Sequence, residues 1–389
     1  MRIITAIVFT LLLGTARAEP QPNAGPAAES LSPKELVERL GDLRFKTRDA
    51  AEKALIRLGL SSFDALVEGE KHPDPHVRGR CRELQPIIRS IVLQKRIDRF
   101  IANINGPLAK DLPFAAPFIN ITGDSKEARE LYAEVLQANA QLLDEADRDP
   151  KKGIEIFSAF CQEVQSRLVY RPGVEQRALQ KTISKADVTL YFLLSVELKQ
   201  DANGRISNSG YSFLSSTNLI ENLGKDAPAA VPFKKLFLVW LEKEPQPYMV
   251  QRGLQIAADA KMPEVVPLIL KLINDKNVQV YTRAQTALSL AKIGTKVHLK
   301  DLEPLLQDKT VVGSFGINNK MGEVQMRDVA LAVSIKLSGQ KIGDYDFDVM
   351  KTTDDLIHMS YCYCAFSSDA KRDEAHKKYK ESVEKRKEK

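Results

Sequence analysis

An arginine followed by small or apolar residues three, seven and ten positions later recurs along this chain, and no other feature constrains its fold as much. From Arg48 the series is Ala51, Leu55 and Leu58, closed by Gly59. From Arg283 it is Thr286, Leu290 and Ile293, closed by Gly294, and from Arg327 it is Ala330, Ser334 and Leu337, with Gly339 just behind. Those offsets share one face of an α-helix, and a glycine is where such a helix stops. A stripe so narrow cannot be buried by one helix alone, so the pattern predicts helices stacked on their own repeats.

The first eighteen residues read as an address. Met1 and Arg2 give a basic start, Ile3 to Leu13 an apolar core, and Ala16-Arg17-Ala18 small residues at −3 and −1 of a cut between Ala18 and Glu19. This is the pattern of a secretory signal, and its apolar run is below the ~20 residues needed to span a bilayer. The expectation is an exported chain, periplasmic or secreted, with residues 19–31, rich in Pro and Ala, as a disordered leader. Charge supports no nucleic-acid role. Of the net +6, Arg2 and Arg17 account for two and the last nineteen residues for four, which leaves residues 19–370 neutral.

Ordered structure is expected from Ser32-Pro33-Lys34-Glu35, where serine caps, proline takes the first helical position and glutamate completes a capping box. Helices are predicted to Gly41, over Thr47–Leu58, over Ser62–Glu70 and over Val77–Val92, which makes two pairs with Arg48 and Arg78 thirty residues apart. A second array is predicted over Ala229–Leu241, Val250–Ala260, Val265–Ile273 and Val280–Ile293, with a last helix over Val329–Leu337.

These residues resemble the HEAT and HEAT-like repeat family, α-solenoids of antiparallel helix pairs, clearly over about residues 32–92 and 226–340. The matching elements are Asp42 six residues before Arg48, Asn277 six before Arg283, and small-apolar second helices ending at Gly59 and Gly294. The resemblance implies a ladder of polar contacts between repeats through Asp42/Arg48 and Asn277/Arg283. Arg78, Arg252 and Arg327 have no Asp or Asn six residues before them, so the ladder is not carried to them, but Arg327 is expected, with Arg48 and Arg283, to be a structural contact between repeats. The chain is also similar to exported bacterial HEAT-repeat proteins with a basic helical end. The expected fold is therefore all-α, a HEAT-type α-solenoid with an irregular helical central section. The expected divisions are 1–18, 19–31, 32–94, 95–225, 226–345 and 346–389.

In the central section Ser125–Asp147 and Gly153–Val169 read as helices. Val188–Leu198 fits either a strand or a helix, with its helical neighbours favouring helix, and Ser207–Ser216 reads as a polar loop. The step from Arg283 to Arg327 is forty-four residues, so that repeat carries an insertion of about thirteen, assigned to the glycine-rich stretch Val312–Gly322. Insertions of this kind collect on one face of a solenoid, often the binding face. Phe315, Asn318 and Lys320 within it are the candidate partner contacts.

Catalytic chemistry finds little footing. His72 and His76 flank Pro73 and Pro75, which keep that segment from being a metal-binding helix. Asp201-Ala-Asn-Gly204 misplaces the glycine and lacks the closing glutamate of a calcium loop. Gly313-Ser-Phe-Gly316 has no Gly-Lys-Ser/Thr after it, so it is no phosphate cradle. Cys81, Cys161, Cys362 and Cys364 are read as free or structurally paired rather than metal ligands, with only His358 near the last two. Asp369–Lys389 reads as a charged helix with Ala375, Tyr379 and Val383 on a thin stripe. No cofactor is expected. The expected role is a non-enzymatic scaffold for a protein or envelope polymer, with no transmembrane segment. The alternatives are a ligand-handling protein like the HEAT-like phycobilin lyases, using a pocket near Cys161 or Cys362, and envelope attachment through the basic tail.

Overall fold

The computed structural model describes residues 31–103, 112–169, 173–198, 205–317, 320–350, 352–354 and 360–387. The fold is all-α apart from one two-stranded sheet among these residues. The chain divides between Asp98 and Arg99 into two compact units.

The first unit is built from α1 (Pro33–Arg39), α2 (Phe45–Leu58), α3 (Phe63–Gly69) and α4 (Pro75–Ala102), the last running through the division. At the start of α1 the Glu35 N–H donates to Ser32 Oγ at 3.3 Å and Glu35 Oε2 accepts from the Ser32 N–H at 2.8 Å. Those bonds satisfy donors that the first turn would otherwise leave open. Leu36, Leu40, Leu55, Leu66, Val77 and Leu84 form a common core. Ala51 and Leu55, three and seven residues after Arg48, are buried, whereas Leu58 at +10 is 40% exposed. The helix face has rotated out of the core by that turn. Gly59 ends α2 at φ +60°, a left-handed conformation that favours glycine. The fourth helix extends well beyond Val77–Val92 and carries Pro86 inside it. Burial of Leu84 and Ile88 on either side offsets a cost of about 3 kcal/mol for an interior proline.

The second unit contains α5 (Ala115–Thr122), α6 (Lys126–Arg148), α7 (Pro150–Arg167), α8 (Gln176–Gln180), α9 (Lys185–Glu197), α10 (Arg205–Leu214), α11 (Thr217–Leu223), α12 (Val231–Lys243), α13 (Pro247–Asp259), α14 (Val266–Asn274), α15 (Val280–Ile293), α16 (Leu299–Leu302), β1 (Val311–Ile317), β2 (Lys320–Gln325), α17 (Met326–Leu337) and α18 (Asp369–Lys387). Its centre is α9, where every residue from Ala186 to Ser195 is buried. A segment buried all round has no amphipathic stripe, which is why its composition also fits a strand. The capping pair decides for helix: the Asp187 N–H donates to Ser184 Oγ at 3.0 Å, and the Ser184 N–H to Asp187 Oδ2 at 2.9 Å. Tyr191 stacks on Phe213 at 4.5 Å between ring centres, and Phe192 packs on Trp240 and Phe237.

That stack corrects the polar loop expected at Ser207–Ser216, which is instead helix α10. Gly210 lets α10 approach Tyr191 so closely that a Cβ there would lie 2.0 Å from the phenol oxygen. Tertiary burial of Phe213 and Leu214 outweighs the serine content of the segment.

Beyond the centre, α13 packs on α15 and α15 on α17, while α14 lies against α15. Thr286 and Leu290 after Arg283, and Ala330, Ser334 and Leu337 after Arg327, are buried as the pattern requires, whereas Ile293 at +10 from Arg283 is half-buried. At Gly294 a Cβ would meet the Leu290 carbonyl at 2.6 Å, so α15 ends on a close approach rather than a left-handed turn. The insertion expected as a glycine-rich loop is an antiparallel hairpin, β1 with β2. Val311, Val312 and Val324 supply β-branched residues, and Gly322 leaves room for Val349, whose Cγ1 would stand 2.8 Å from a Cβ. Glu323 also exchanges backbone hydrogen bonds with Phe366.

Helix α18 docks on α17 through a charge, with Ala375 and Tyr379 buried beside it. Fully buried Asp328 accepts from Arg372 Nε at 3.0 Å on both oxygens, and its Oδ2 accepts from the Gln325 N–H at 2.8 Å. Arg372 also donates to Asp369 and to the Glu323 carbonyl. Removing one member of such a pair strands the other without water. Arg372→Ala is expected to lower stability in urea unfolding by about 3–5 kcal/mol, and Lys377→Ala, on the solvent side of α18, by less than about 0.5 kcal/mol.

Candidate functional site

Two arginines of the first unit, thirty residues apart, do the same thing at the same place. Arg48 Nη1 donates to the carbonyls of Asp42 at 2.8 Å and Leu43 at 3.1 Å, six and five residues earlier. Arg78 Nη1 donates to the carbonyls of His72 at 2.7 Å and Pro73 at 2.8 Å, again six and five earlier. Each guanidinium thus clamps the turn that enters its own helix by engaging two carbonyls of that turn.

The side chain six residues back takes no part. Asp42 turns its carboxylate to Arg44, whose N–H and Nε donate to it at 2.8 and 3.2 Å. The Asp42/Arg48 rung is therefore a backbone contact within one turn. This is why Arg78 manages without an acidic or amide partner there.

In the second unit the pairing changes. Asn277 donates its backbone N–H and Nδ2 to Asp275 and makes no bond to Arg283. Arg283 is 4% exposed; its Nε donates to the Ile273 carbonyl and its Nη2 to Asp308 Oδ2, both at 2.9 Å. The expected Asn277/Arg283 rung is thus replaced by an ion pair reaching twenty-five residues ahead. Arg327 donates to Gln325 Oε1 at 2.7 Å and to Asp373 on α18 at 3.3 Å. Arg129 was not singled out by the pattern. It is fully buried, donates to both oxygens of Asp124 and to the Phe100 carbonyl, and lies 4.6 Å over the Phe100 ring. Asp124, five residues before it, is the signal that spacing by six passed over.

Burial pushes the Asp308 carboxyl upward, but the hydroxyl and N–H of Thr310 and the Arg283 guanidinium outweigh it, and hold it below the usual carboxylate range. A carboxyl depressed in the folded state stabilises the fold above its unfolded value and loses that contribution as pH falls through the folded one.

Three of the open grooves among the described residues bear on the sequence-predicted residues. One of about 480 Å³ in the first unit is walled by Phe45, Arg48, Glu52, His76, Arg80 and Glu83. Arg80 pairs with both Glu52 and Glu83, so its charges largely cancel, and Phe45 at its rim is 70% exposed under the Arg48 guanidinium. A second, of about 370 Å³, lies between α1 and α3. Lys34 pairs there with Glu68 at 2.8 Å and His72 Nε2 with Glu38 at 3.1 Å. The third, of about 700 Å³ in the second unit, lies over the Arg283–Asp308 pair, between the turn before α15 and the turn before β1.

Beside that turn stands the hairpin. Phe315 is half-buried on β1 opposite Gly322, and Lys320 opens β2 opposite Ile317. Met321, 69% exposed, is with Val311 a large apolar side chain that the hairpin turns to solvent. Asn318 lies outside the described residues, as do Ala18 and Glu19 at the expected cut, Asp201, Asn203, Gly204 and His358.

His72 is fully used: Nε2 meets Glu38, and Nδ1 accepts from the Asp74 N–H at 3.1 Å. No group of three metal-ligating side chains forms among the described residues. Burial pushes the Cys81 thiol up to about 11, and pushes Cys161 and Cys364 higher still. A buried, protonated thiol is a poor nucleophile.

Comparison with protein-family models, curated proteins and solved structures gives no match.

Two measurements check this assignment. Asn277→Ala should change stability by less than about 0.5 kcal/mol. Asp308→Asn should cost several-fold more near neutral pH, and the gap to wild type should narrow as pH drops below about 4. In native protein, iodoacetamide should modify half-exposed Cys362 well before Cys81, Cys161 or Cys364, as read by mass spectrometry after a timed quench.

Proposed function

We propose that this chain is a non-enzymatic interaction scaffold whose paired helices form a HEAT-type α-solenoid, exported to the periplasm or beyond. The observation that carries the reading is the repeated clamp. Arg48 and Arg78, thirty residues apart, hold their turns by the same two carbonyl positions, as successive copies of one structural unit would. The succession α13, α15, α17 extends the same logic in the second unit, where each helix packs on the next. Among the described residues no helix is long and apolar enough to cross a membrane.

The binding elements in this reading are the hairpin at Phe315 and Lys320 and the open grooves along the turns. They are pre-formed, so a partner meets them with little rearrangement. Export rests on Met1 to Ala18 alone.

A photo-crosslinking residue at Met321 tests the scaffold role. Irradiation with an envelope fraction is expected to give an adduct of discrete mass, absent when the same residue replaces exposed Glu384 on α18. Adducts of equal yield at both positions, or none at Met321, would remove the reading.

A further inference from the structure

The 700 Å³ groove of the second unit differs from the other two in its charge. Its walls carry Lys276, Lys309 and Arg283 against a single carboxylate, Asp308, which Arg283 already neutralises. Lys276 and Lys309 are exposed and form no ion pair among the described residues, whereas Arg80, Lys34 and His72 of the other grooves each face a glutamate. The excess is local, because residues 19–370 are neutral taken together. Asp275, next in sequence to Lys276, is occupied with the N–H groups of Asn277. The first turn of α15 opens on the same groove, with no acidic residue and no side-chain bond from Gln279 at its cap, and adds partial positive charge.

The remaining wall narrows the ligand class. Gln279 and Gln307 are exposed carboxamides that offer both a donor and an acceptor, the pairing a peptide group needs. Val278, Val280 and Pro304 give apolar ledges between them. No aromatic side chain lines the groove, so bases of a nucleic acid would find nothing to stack on.

From these observations we propose that the groove between the turn before α15 and the turn before β1 docks an extended acidic segment of a partner protein. Carboxylates would meet Lys276 and Lys309, and the backbone would pair with Gln279 and Gln307. This rests on the scaffold reading and specifies one of its surfaces.

The test uses the full chain and a fluorescein-labelled poly-glutamate peptide, followed by anisotropy. Binding is expected, weakening as NaCl rises from about 50 to about 200 mM. The double variant Lys276→Glu/Lys309→Glu should weaken it by at least about tenfold. Lys377→Glu/Lys378→Glu on α18 makes the same charge change and should leave affinity within about twofold. Circular dichroism melts of both variants separate loss of binding from loss of fold.

No binding of the peptide, equal loss in the two double variants, or equal affinity for a labelled oligothymidylate would each overturn the proposal. A positive Met321 crosslink alongside any of these would remove the acidic-ligand assignment and leave the scaffold standing; failure of both would remove both.

Discussion

A guanidinium held against backbone carbonyls at a helix-to-helix turn is the contact on which the architecture depends. The turn between paired helices carries backbone carbonyls that no helix ladder engages, and each such group needs a partner. Arg48 and Arg78 answer this by reaching back to carbonyls six and five residues earlier, which fixes how the chain enters α2 and α4. Because the acceptor is backbone, the clamp tolerates Asp42 in one turn and His72 in the other. A motif that follows the side chain six residues back therefore follows the wrong atom.

The second unit keeps its helices together by different means. An aromatic cluster about Tyr191, Phe192, Phe213 and Trp240 surrounds α9, and three buried arginines then tie distant segments to that frame. Arg129 holds Asp124 and the Phe100 carbonyl, Arg283 holds Asp308, and Arg372 holds Asp328. Each carboxylate is matched by a charged, geometrically fixed donor, which is the condition under which a buried charge is tolerated. Arg372 also explains how the charged last helix docks: its guanidinium is buried, Lys371 pairs with Asp348 beside it, and Lys377 stays in water.

The Arg283–Asp308 pair joins structure to surface. It draws the turn before α15 toward the turn before β1, and the groove between them follows from that closure. Asp308 spends its charge inside the pair, so the cations at the rim are left uncompensated. The hairpin begins immediately after Thr310, which itself donates to Asp308. One carboxylate thus organises the groove, the base of the insertion and the seat of α15.

Local patterns in the sequence determined whatever depends on neighbours along the chain. The Ser32 cap, the helical stripes after Arg283 and Arg327 and the stop at Gly59 follow from bonds and faces spanning one to three turns, and those are legible residue by residue. Tertiary structure decided whatever depends on which distant atoms meet. Arg283 chose Asp308 over Asn277, and Ser207–Ser216 became helix because Phe213 had Tyr191 to stack on. Val312–Gly322 became a hairpin because Val349 and Tyr361 filled the space beside its glycines. Hydrogen-bond partners and burial are set by proximity in space, and side-chain spacing along a chain carries no record of it.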